Sequence, residues 1–308
     1  MTTAILFPGQ GSQSPGMQAD LAGRFPLVND VYAEASEVLG YDLWALVQSA
    51  PAEKLAETTV TQPAMLAAGV AAWRCWVDAG GDAGQLMSGH SLGEYSALVC
   101  ADAIDFADAM RVVKRRSELM QAAVPVGQGA MAAILGLDDD VVEAVCDEAG
   151  QGGVVEPVNY NSPGQVVVAG AADAVAAAVE LAKSRGARRA ILLPVSVPSH
   201  SSMMREAGVA LSESLQAAAF RTPAVTVIGA ATAKPYTDAD DIRTTLSSQV
   251  YRPVRWTATI AALAAGGANT FVECGPGKVL AGLVRRIDKS LTVATIDGVD
   301  GLDKALAA

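Results

Sequence analysis

The chain of 308 residues has only two histidines, and both fall in segments whose residue types could do chemistry. His90 sits in Gly89-His90-Ser91-Leu92-Gly93, a G-x-S-x-G pattern, and His200 ends the run Pro194-Val195-Ser196-Val197-Pro198-Ser199-His200. A serine hydroxyl is a weak nucleophile near neutral pH and needs a general base beside it. Imidazole, which titrates near working pH, is the usual group. His90 is the chain neighbour of Ser91 and is expected to point away from it. That leaves His200 as the base for a Ser91 nucleophile.

The surroundings of the G-x-S-x-G pattern give it weight. Residues 85–88 read as a short strand and 94–100 as a helix, so Ser91 stands at a sharp strand-to-helix turn that exposes its hydroxyl. A helix N-terminus also offers free N–H groups and a positive dipole end. The Leu92 N–H is thus a natural oxyanion donor, a type worth roughly 3 kcal/mol. No third, orienting acid can be picked out: several Asp and Glu residues lie between Ser91 and His200, but they read as solvent-facing positions of the inserted unit.

Arg116 is the other informative side chain. On the helix expected over 105–122, Phe106, Ala109, Met110, Val112, Val113, Leu119 and Met120 form one apolar arc at about 100° per residue. Arg116 falls near the middle of that arc, while Arg111, Lys114 and Arg115 point to solvent. An inward guanidinium must be paired, either with a structural carboxylate or with the carboxylate of a substrate.

Further elements must position these groups. Residues 3–7 read as a buried strand followed by the tight loop Pro8-Gly9-Gln10-Gly11. The third glycine of a dinucleotide fingerprint is missing there, which excludes that reading. Between about 127 and 194 the expected order is β-α-β-β-α-β, the ferredoxin-like unit. It interrupts a larger α/β pattern that resumes with helices over 201–220, 239–250, 256–265 and 278–287 and strands over 225–228 and 270–274. The expected architecture is α/β: an α/β-hydrolase-like large subdomain (residues 1–125 and 198–308) with an inserted ferredoxin-like small subdomain (126–197). The tail beyond Asp297 carries no motif.

Composition narrows the function classes. With 51% hydrophobic and 18% charged residues the chain is a packed globular protein. Its longest uncharged stretches are broken by Pro63, Gly69, Gly266, Gly267 and Asn269, so no membrane span or export signal is expected. Cys75, Cys100, Cys146 and Cys274 are scattered, which fits reduced thiols in a cytoplasmic enzyme. Two histidines and no cysteine cluster make a protein-built metal site unexpected. A net charge of −11 argues against a nucleic-acid partner.

Taken together, several segments carry a resemblance: Phe7-Pro8-Gly9-Gln10-Gly11-Ser12-Gln13, Thr61-Gln62-Pro63-Ala64, Gly89-His90-Ser91-Leu92-Gly93-Glu94-Tyr95-Ser96, Asn159-Tyr160-Asn161-Ser162-Pro163-Gly164-Gln165, Val197-Pro198-Ser199-His200 and Glu273-Cys274-Gly275-Pro276-Gly277-Lys278. Nearly end to end, the chain resembles the malonyl-CoA:acyl carrier protein transacylase family of bacterial type II fatty acid synthesis, and is similar to the acyltransferase domains of polyketide synthases. The resemblance implies a Ser91–His200 dyad working by ping-pong through an acyl-Ser91 intermediate. It also implies an oxyanion hole from the Gln10 and Leu92 N–H groups, and a backbone carbonyl at Gln249 that orients the imidazole. It implies Arg116, Gln62 and Asn161 as substrate-binding residues, with Arg116 on the malonyl carboxylate. No cofactor is implied beyond the malonyl-CoA substrate, and a monomer is expected. The acyl carrier partner is itself acidic, so a local basic patch is expected despite the net charge. The candidates are Lys183, Arg185, Arg188 and Arg189 in one cluster and Lys278, Arg285, Arg286 and Lys289 in another. A serine thioesterase or esterase and a polyketide acyltransferase are the alternatives, and Arg116 speaks against a simple esterase.

Overall fold

The computed structural model describes residues 2–195 and 197–307. Met1, Ser196 and Ala308 lie outside the described residues, Ser196 being the one that falls in a segment singled out above. Among the described residues ten strands make two sheets: β1 (Thr2–Phe7), β2 (Leu86–Gly89), β3 (Gly129–Leu135), β4 (Val155–Ser162), β5 (Gln165–Ala171), β6 (Arg189–Leu192), β7 (Thr226–Gly229), β8 (Lys234–Pro235), β9 (Ala268–Cys274) and β10 (Thr292–Ile296). The fold is mixed α/β.

The larger sheet has the order β10-β9-β1-β2-β7-β8 and is parallel except for the β7–β8 edge pair. Parallel strands covered by helices on both faces read as continuous apolar runs. In β1 the residues Ala4, Ile5, Leu6 and Phe7 are fully buried. The register Leu6↔Ser88 and Phe7↔Gly89 ends β1 and β2 side by side, and the chain turns into Ser91 just beyond that common edge. The carboxyl edge of a parallel sheet is where such folds build their sites.

The smaller sheet is antiparallel, with the order β4-β5-β3-β6. The two-residue period of its strands sorts side chains between two cores. Ala132 and Ile134 of β3, with Val166 and Val168 of β5, face the helices Asp139–Ala149 and Ala172–Ser184. Met131 of β3 and Val167 and Ala169 of β5 form a second cluster with Val158, against which Leu193 and Val195 pack. This sheet is joined to the rest through β4: Tyr160 N–H donates to Val254 O (2.9 Å) and Val254 N–H to Val158 O (2.8 Å).

The C-terminal end holds two elements that the sequence reading did not name. β10 extends the large sheet beyond β9, and the helix Val299–Leu306 packs against it, burying Leu302. Its first turn is capped by Asp20, whose carboxylate accepts from Val299 N–H at 2.8 Å. A short edge strand with one buried residue and an eight-residue helix carry little apolar periodicity, so the pattern did not show them. The segment Glu273-Cys274-Gly275-Pro276-Gly277-Lys278 has a structural explanation. The buried Glu273 carboxylate accepts from Leu280 N–H (3.1 Å) and Ala281 N–H (2.7 Å), closing the open donors of the helix Val279–Ile287. Burial pushes Glu273 up to about 7.

No helix among the described residues is long and apolar enough to cross a membrane. The four cysteines are buried free thiols.

Glycine packing at the sheet edge makes a direct prediction. A Cβ on Gly93 would lie 2.0 Å from Phe7 O, so Gly93→Ala should destabilise by about 1–3 kcal/mol through forced backbone displacement. Gly282, inside the helix Val279–Ile287 with nothing within 4 Å, should instead gain about 1 kcal/mol when changed to Ala. Urea unfolding of the two variants checks both signs.

Candidate active site

Two close approaches shape the turn after β2. A Cβ on Gly89 would come within 1.9 Å of the Gly93 backbone, and Gly93 itself rests on Phe7 O. Only glycine permits the strand, the turn and the helix Gly93–Cys100 to pack this closely. Ser91 between them has φ 52°, a left-handed conformation that costs a non-glycine residue energy and marks functional turns. His200 is also left-handed, with φ 68°. It is fixed by its own N–H, which donates to Val250 O at 2.8 Å.

These two residues meet: Ser91 Oγ lies 2.7 Å from His200 Nε2. On the other side of the ring, Nδ1 faces two carbonyls, Gln249 O at 2.8 Å and Arg252 O at 3.1 Å. Carbonyls only accept, so Nδ1 carries the proton and Nε2 presents its lone pair to the serine hydroxyl. The orienting group is thus a pair of backbone carbonyls. Burial lowers the His200 pKa to about 3, with the positive charge of Arg116 contributing second. The imidazole is therefore neutral and ready to accept a proton throughout the physiological range.

Arg116, on the helix Phe106–Ala122, is 1% exposed. Its Nη1 donates to Gln62 Oε1 (2.6 Å), and its Nη2 to Gln249 Oε1 (3.0 Å) and to Ser91 Oγ (3.2 Å). The Nε–H is buried without a partner, and the guanidinium carbon stands 5.6 Å from the Tyr95 ring centre. Among the described residues no carboxylate forms a salt bridge with it. An unpaired guanidinium beside a nucleophile is a receptor for an anionic group.

A cleft of about 350 Å³ opens onto these groups, with Gln10, Gln62, Ser91, Leu92, Arg116 and His200 in its wall. Met131, Asn159 and Leu193 of the smaller sheet's side complete it, so the cleft lies between the two sheet systems. Neither Gln10 N–H nor Leu92 N–H has a backbone acceptor among the described residues. A Cβ on Gly9 would meet His90 O at 2.5 Å and Leu92 N at 3.7 Å; glycine lets the loop bearing Gln10 lie against the turn bearing Leu92.

Other residues named from the sequence sit differently. His90 points away from Ser91: its Nε2 donates to Asn161 Oδ1 at 2.8 Å and its ring packs by Trp256. Asn161 is consequently occupied behind His90 and is absent from the cleft wall, where Asn159 stands instead. Gln62 reaches the cleft, yet its amide oxygen holds Arg116. Of the basic candidates, Lys183 is paired with Glu180 (2.6 Å), Arg185 with Glu148 and Lys278 with Asp297 (3.2 Å). Arg188, Arg189, Arg285 and Arg286 form no ion pair among the described residues.

Sequence reasoning missed Glu94. It was given no role from the sequence, yet it is fully buried one turn after Ser91. It accepts from Gln249 Nε2 (2.6 Å), Ala230 N–H (3.3 Å) and the Tyr236 hydroxyl. Every residue of the helix Gly93–Cys100 is buried, and Glu94 is the only charged side chain in it, which was the available signal.

Comparison with known proteins gives a consistent outcome. A family model described as "Acyl transferase domain" matches residues 5–300. The chain is 52% identical over 303 residues, 98% of its own length and 98% of the relative's, to the malonyl CoA-acyl carrier protein transacylase of Escherichia coli (strain K12). To the protein of that name from Bacillus subtilis (strain 168) identity is 42% over 304 residues, covering 98% of this chain and 96% of the relative. Among solved structures, the chain is similar to a type II PKS acyl-carrier protein's malonyl-transacylase, solved in complex with that carrier. The TM-score is 0.98 at 50% identity, covering 100% of this chain and 99% of that one.

The state of His200 predicts an unusual pH profile. The rate at which Ser91 reacts with a neutral fluorophosphonate should stay flat from about pH 8 to about pH 5, because a base with a pKa lowered to about 3 is not protonated in that range. A fall centred near 6.5, the ordinary imidazole value, would show that burial and Arg116 do not depress it.

Proposed function

The chain belongs to the acyl transferase domain family, and on that premise we propose that it transfers the malonyl group of malonyl-CoA to the phosphopantetheine thiol of an acyl carrier protein. The observation that carries this reading is the buried Arg116 guanidinium 3.2 Å from Ser91 Oγ, a carboxylate receptor built against the nucleophile.

In the first half-reaction Ser91 Oγ attacks the thioester carbonyl and His200 Nε2 takes its proton. The oxyanion forms between the Gln10 and Leu92 N–H groups. Collapse expels CoA, whose thiolate receives the proton from His200, and leaves malonyl-Ser91. In the second half the carrier's thiol gives its proton to His200 and attacks the acyl-serine, and His200 Nε2 passes that proton to the departing Ser91 Oγ, which restores the free hydroxyl. Gln249 O keeps the imidazole in the required tautomer throughout. Arg116 grips the malonyl carboxylate and so fixes the carbonyl over Oγ. No cofactor or metal enters this chemistry.

The strand order and connections support an α/β-hydrolase-like subdomain (1–125 and 198–308) with a ferredoxin-like insertion (126–197), the cleft lying between them. The protein is read as cytoplasmic and monomeric, with malonyl-CoA and an acyl carrier protein as partners and neither nucleic acid nor membrane among them. A type II PKS carrier belongs to one similar structure, so a polyketide carrier is within the same reading.

For the carrier surface, sheet register joins what the sequence offered as two separate clusters. Leu135 pairs with Gln165 on one side and Arg189 on the other, and Arg286 donates to Gln165 Oε1. Arg286, Arg189 and the adjacent Arg188 thus share one end of the small sheet. Arg189 stands four residues before Leu193 at the cleft, about 13 Å along an extended strand. This strip, with Arg285, suits an acidic carrier; Lys183, on the helix Ala172–Ser184, is paired with Glu180.

Brief mixing with malonyl-CoA followed by peptide mass spectrometry tests the reaction. A malonyl adduct on the Ser91 peptide, discharged by holo carrier protein and absent in Ser91→Ala, is expected; CoA release without adduct would indicate a hydrolase. Arg116→Ala should lower kcat/KM for malonyl-CoA by about 100-fold, the cost of losing a buried charge pair, and affect acetyl transfer far less. Equal losses would assign Arg116 to structure. For docking, R189E/R286E should raise KM for carrier protein by about tenfold and leave KM for malonyl-CoA alone, as loss of electrostatic complementarity requires; an unchanged carrier KM would exclude this face.

A further inference from the structure

Arg116 poses a physical problem that its substrate role does not solve. A guanidinium keeps its charge in proteins, and a buried charge without a counter-ion is strongly unfavourable. In the free protein, however, Arg116 has only neutral partners: Gln62, Gln249 and Ser91. The nearest acid in its network is Glu94, also fully buried, and the two are connected through one side chain. Gln249 Oε1 accepts from Arg116 Nη2 at 3.0 Å, and Gln249 Nε2 donates to Glu94 Oε2 at 2.6 Å. The same Nε2 donates to Ser91 O at 3.0 Å. The amide cannot be turned round, since that would face donors on Arg116 and acceptors on both Glu94 and Ser91 O.

Three donors converge on the Glu94 carboxylate: Gln249 Nε2, Ala230 N–H and the Tyr236 hydroxyl. Burial pushes the Glu94 pKa up, and these hydrogen bonds together with the charge of Arg116 oppose that rise. The amide dipole of Gln249 lies with its oxygen toward the cation and its N–H toward the carboxyl group, so it is favourable to charge at both ends.

We propose that Glu94 is the counter-ion of Arg116, a positioning residue that acts through the Gln249 side-chain amide. The spacer compensates the buried cation at one remove. A carboxylate in direct contact would saturate the guanidinium and leave nothing for the carboxylate of the acyl donor. With the amide between them, the cation is stabilised in place and still open to an anionic acyl group. Gln249 therefore serves the site twice, with its carbonyl on His200 and its side chain on Arg116. The inference rests on reading Arg116 as the receptor for the donor's carboxylate.

Two variants separate charge from shape. E94Q removes only the charge: its amide oxygen can accept from Gln249 and Ala230, and its NH₂ can donate to the Tyr236 hydroxyl, which also accepts. E94Q should lose thermal stability, with Ser91 acylation by malonyl-CoA and acetyl-CoA falling together and their ratio held within about threefold. E94Q/Q249E keeps the total charge and moves the carboxylate against Arg116. It should regain stability relative to E94Q, yet its KM for malonyl-CoA should rise by about tenfold while the acetyl-CoA value does not follow.

An E94Q protein as stable as the wild type would overturn the counter-ion. So would a double variant that keeps the wild-type malonyl-to-acetyl ratio, or one that does not fold. Should E94Q itself not fold, the double variant decides alone. If wild type and Arg116→Ala show the same malonyl-to-acetyl ratio, the receptor reading of Arg116 has failed, and the stability comparison still tests the counter-ion separately.

Discussion

A positive charge held inside the protein next to a serine hydroxyl is the constraint around which the rest of the site is arranged. Arg116 cannot shed its charge and is almost fully buried, so its neighbours must accept hydrogen bonds: Gln62, Gln249 and Ser91 each do. The same charge reaches His200 and, with burial, keeps the imidazole neutral. A base that is already deprotonated and an electrophile's carboxylate receptor are therefore consequences of one buried cation. Such an arrangement is costly in an empty site and becomes favourable once an anionic acyl group enters, which is the direction catalysis needs.

The backbone supplies what side chains do not. Ser91 and His200 both sit at positive φ, and their conformations are held by close packing at Gly89 and Gly93 and by the bond from His200 N–H to Val250 O. Strain of this kind persists only where surrounding structure over-determines it. Orientation of the imidazole by the Gln249 and Arg252 carbonyls belongs to the same economy of means. A buried carboxylate at that position would raise the basicity of His200, whereas carbonyls fix the tautomer without adding charge.

Much of the fold was legible because it follows local rules. The run of buried residues in β1, the β-α-β-β-α-β order of the smaller sheet and the apolar arc of the helix bearing Arg116 all show as periodicity. The turn bearing Ser91 could be placed from its glycines. Elements with weak periodicity were not seen, such as β10 and the last helix, which are held by a neighbouring strand and by Asp20 from the far end of the chain. Asn161 was assigned to substrate on the strength of a family motif, and the fold employs it to hold His90.

The sequence by itself determined the chemical inventory: one serine at a strand-to-helix turn, one histidine free to serve it, and one arginine on the wrong side of its helix for solvent. These depend on residue type and on spacing within single elements, which local geometry settles. Only the tertiary structure decided which distant groups meet. It set Gln249 between Arg116 and Glu94, turned carbonyls toward His200, and brought Arg189 and Arg286 to one end of a sheet. Contacts of this kind join residues from 49 to 155 positions apart, and they arise from sheet register and helix packing, which no pattern along a single chain segment encodes.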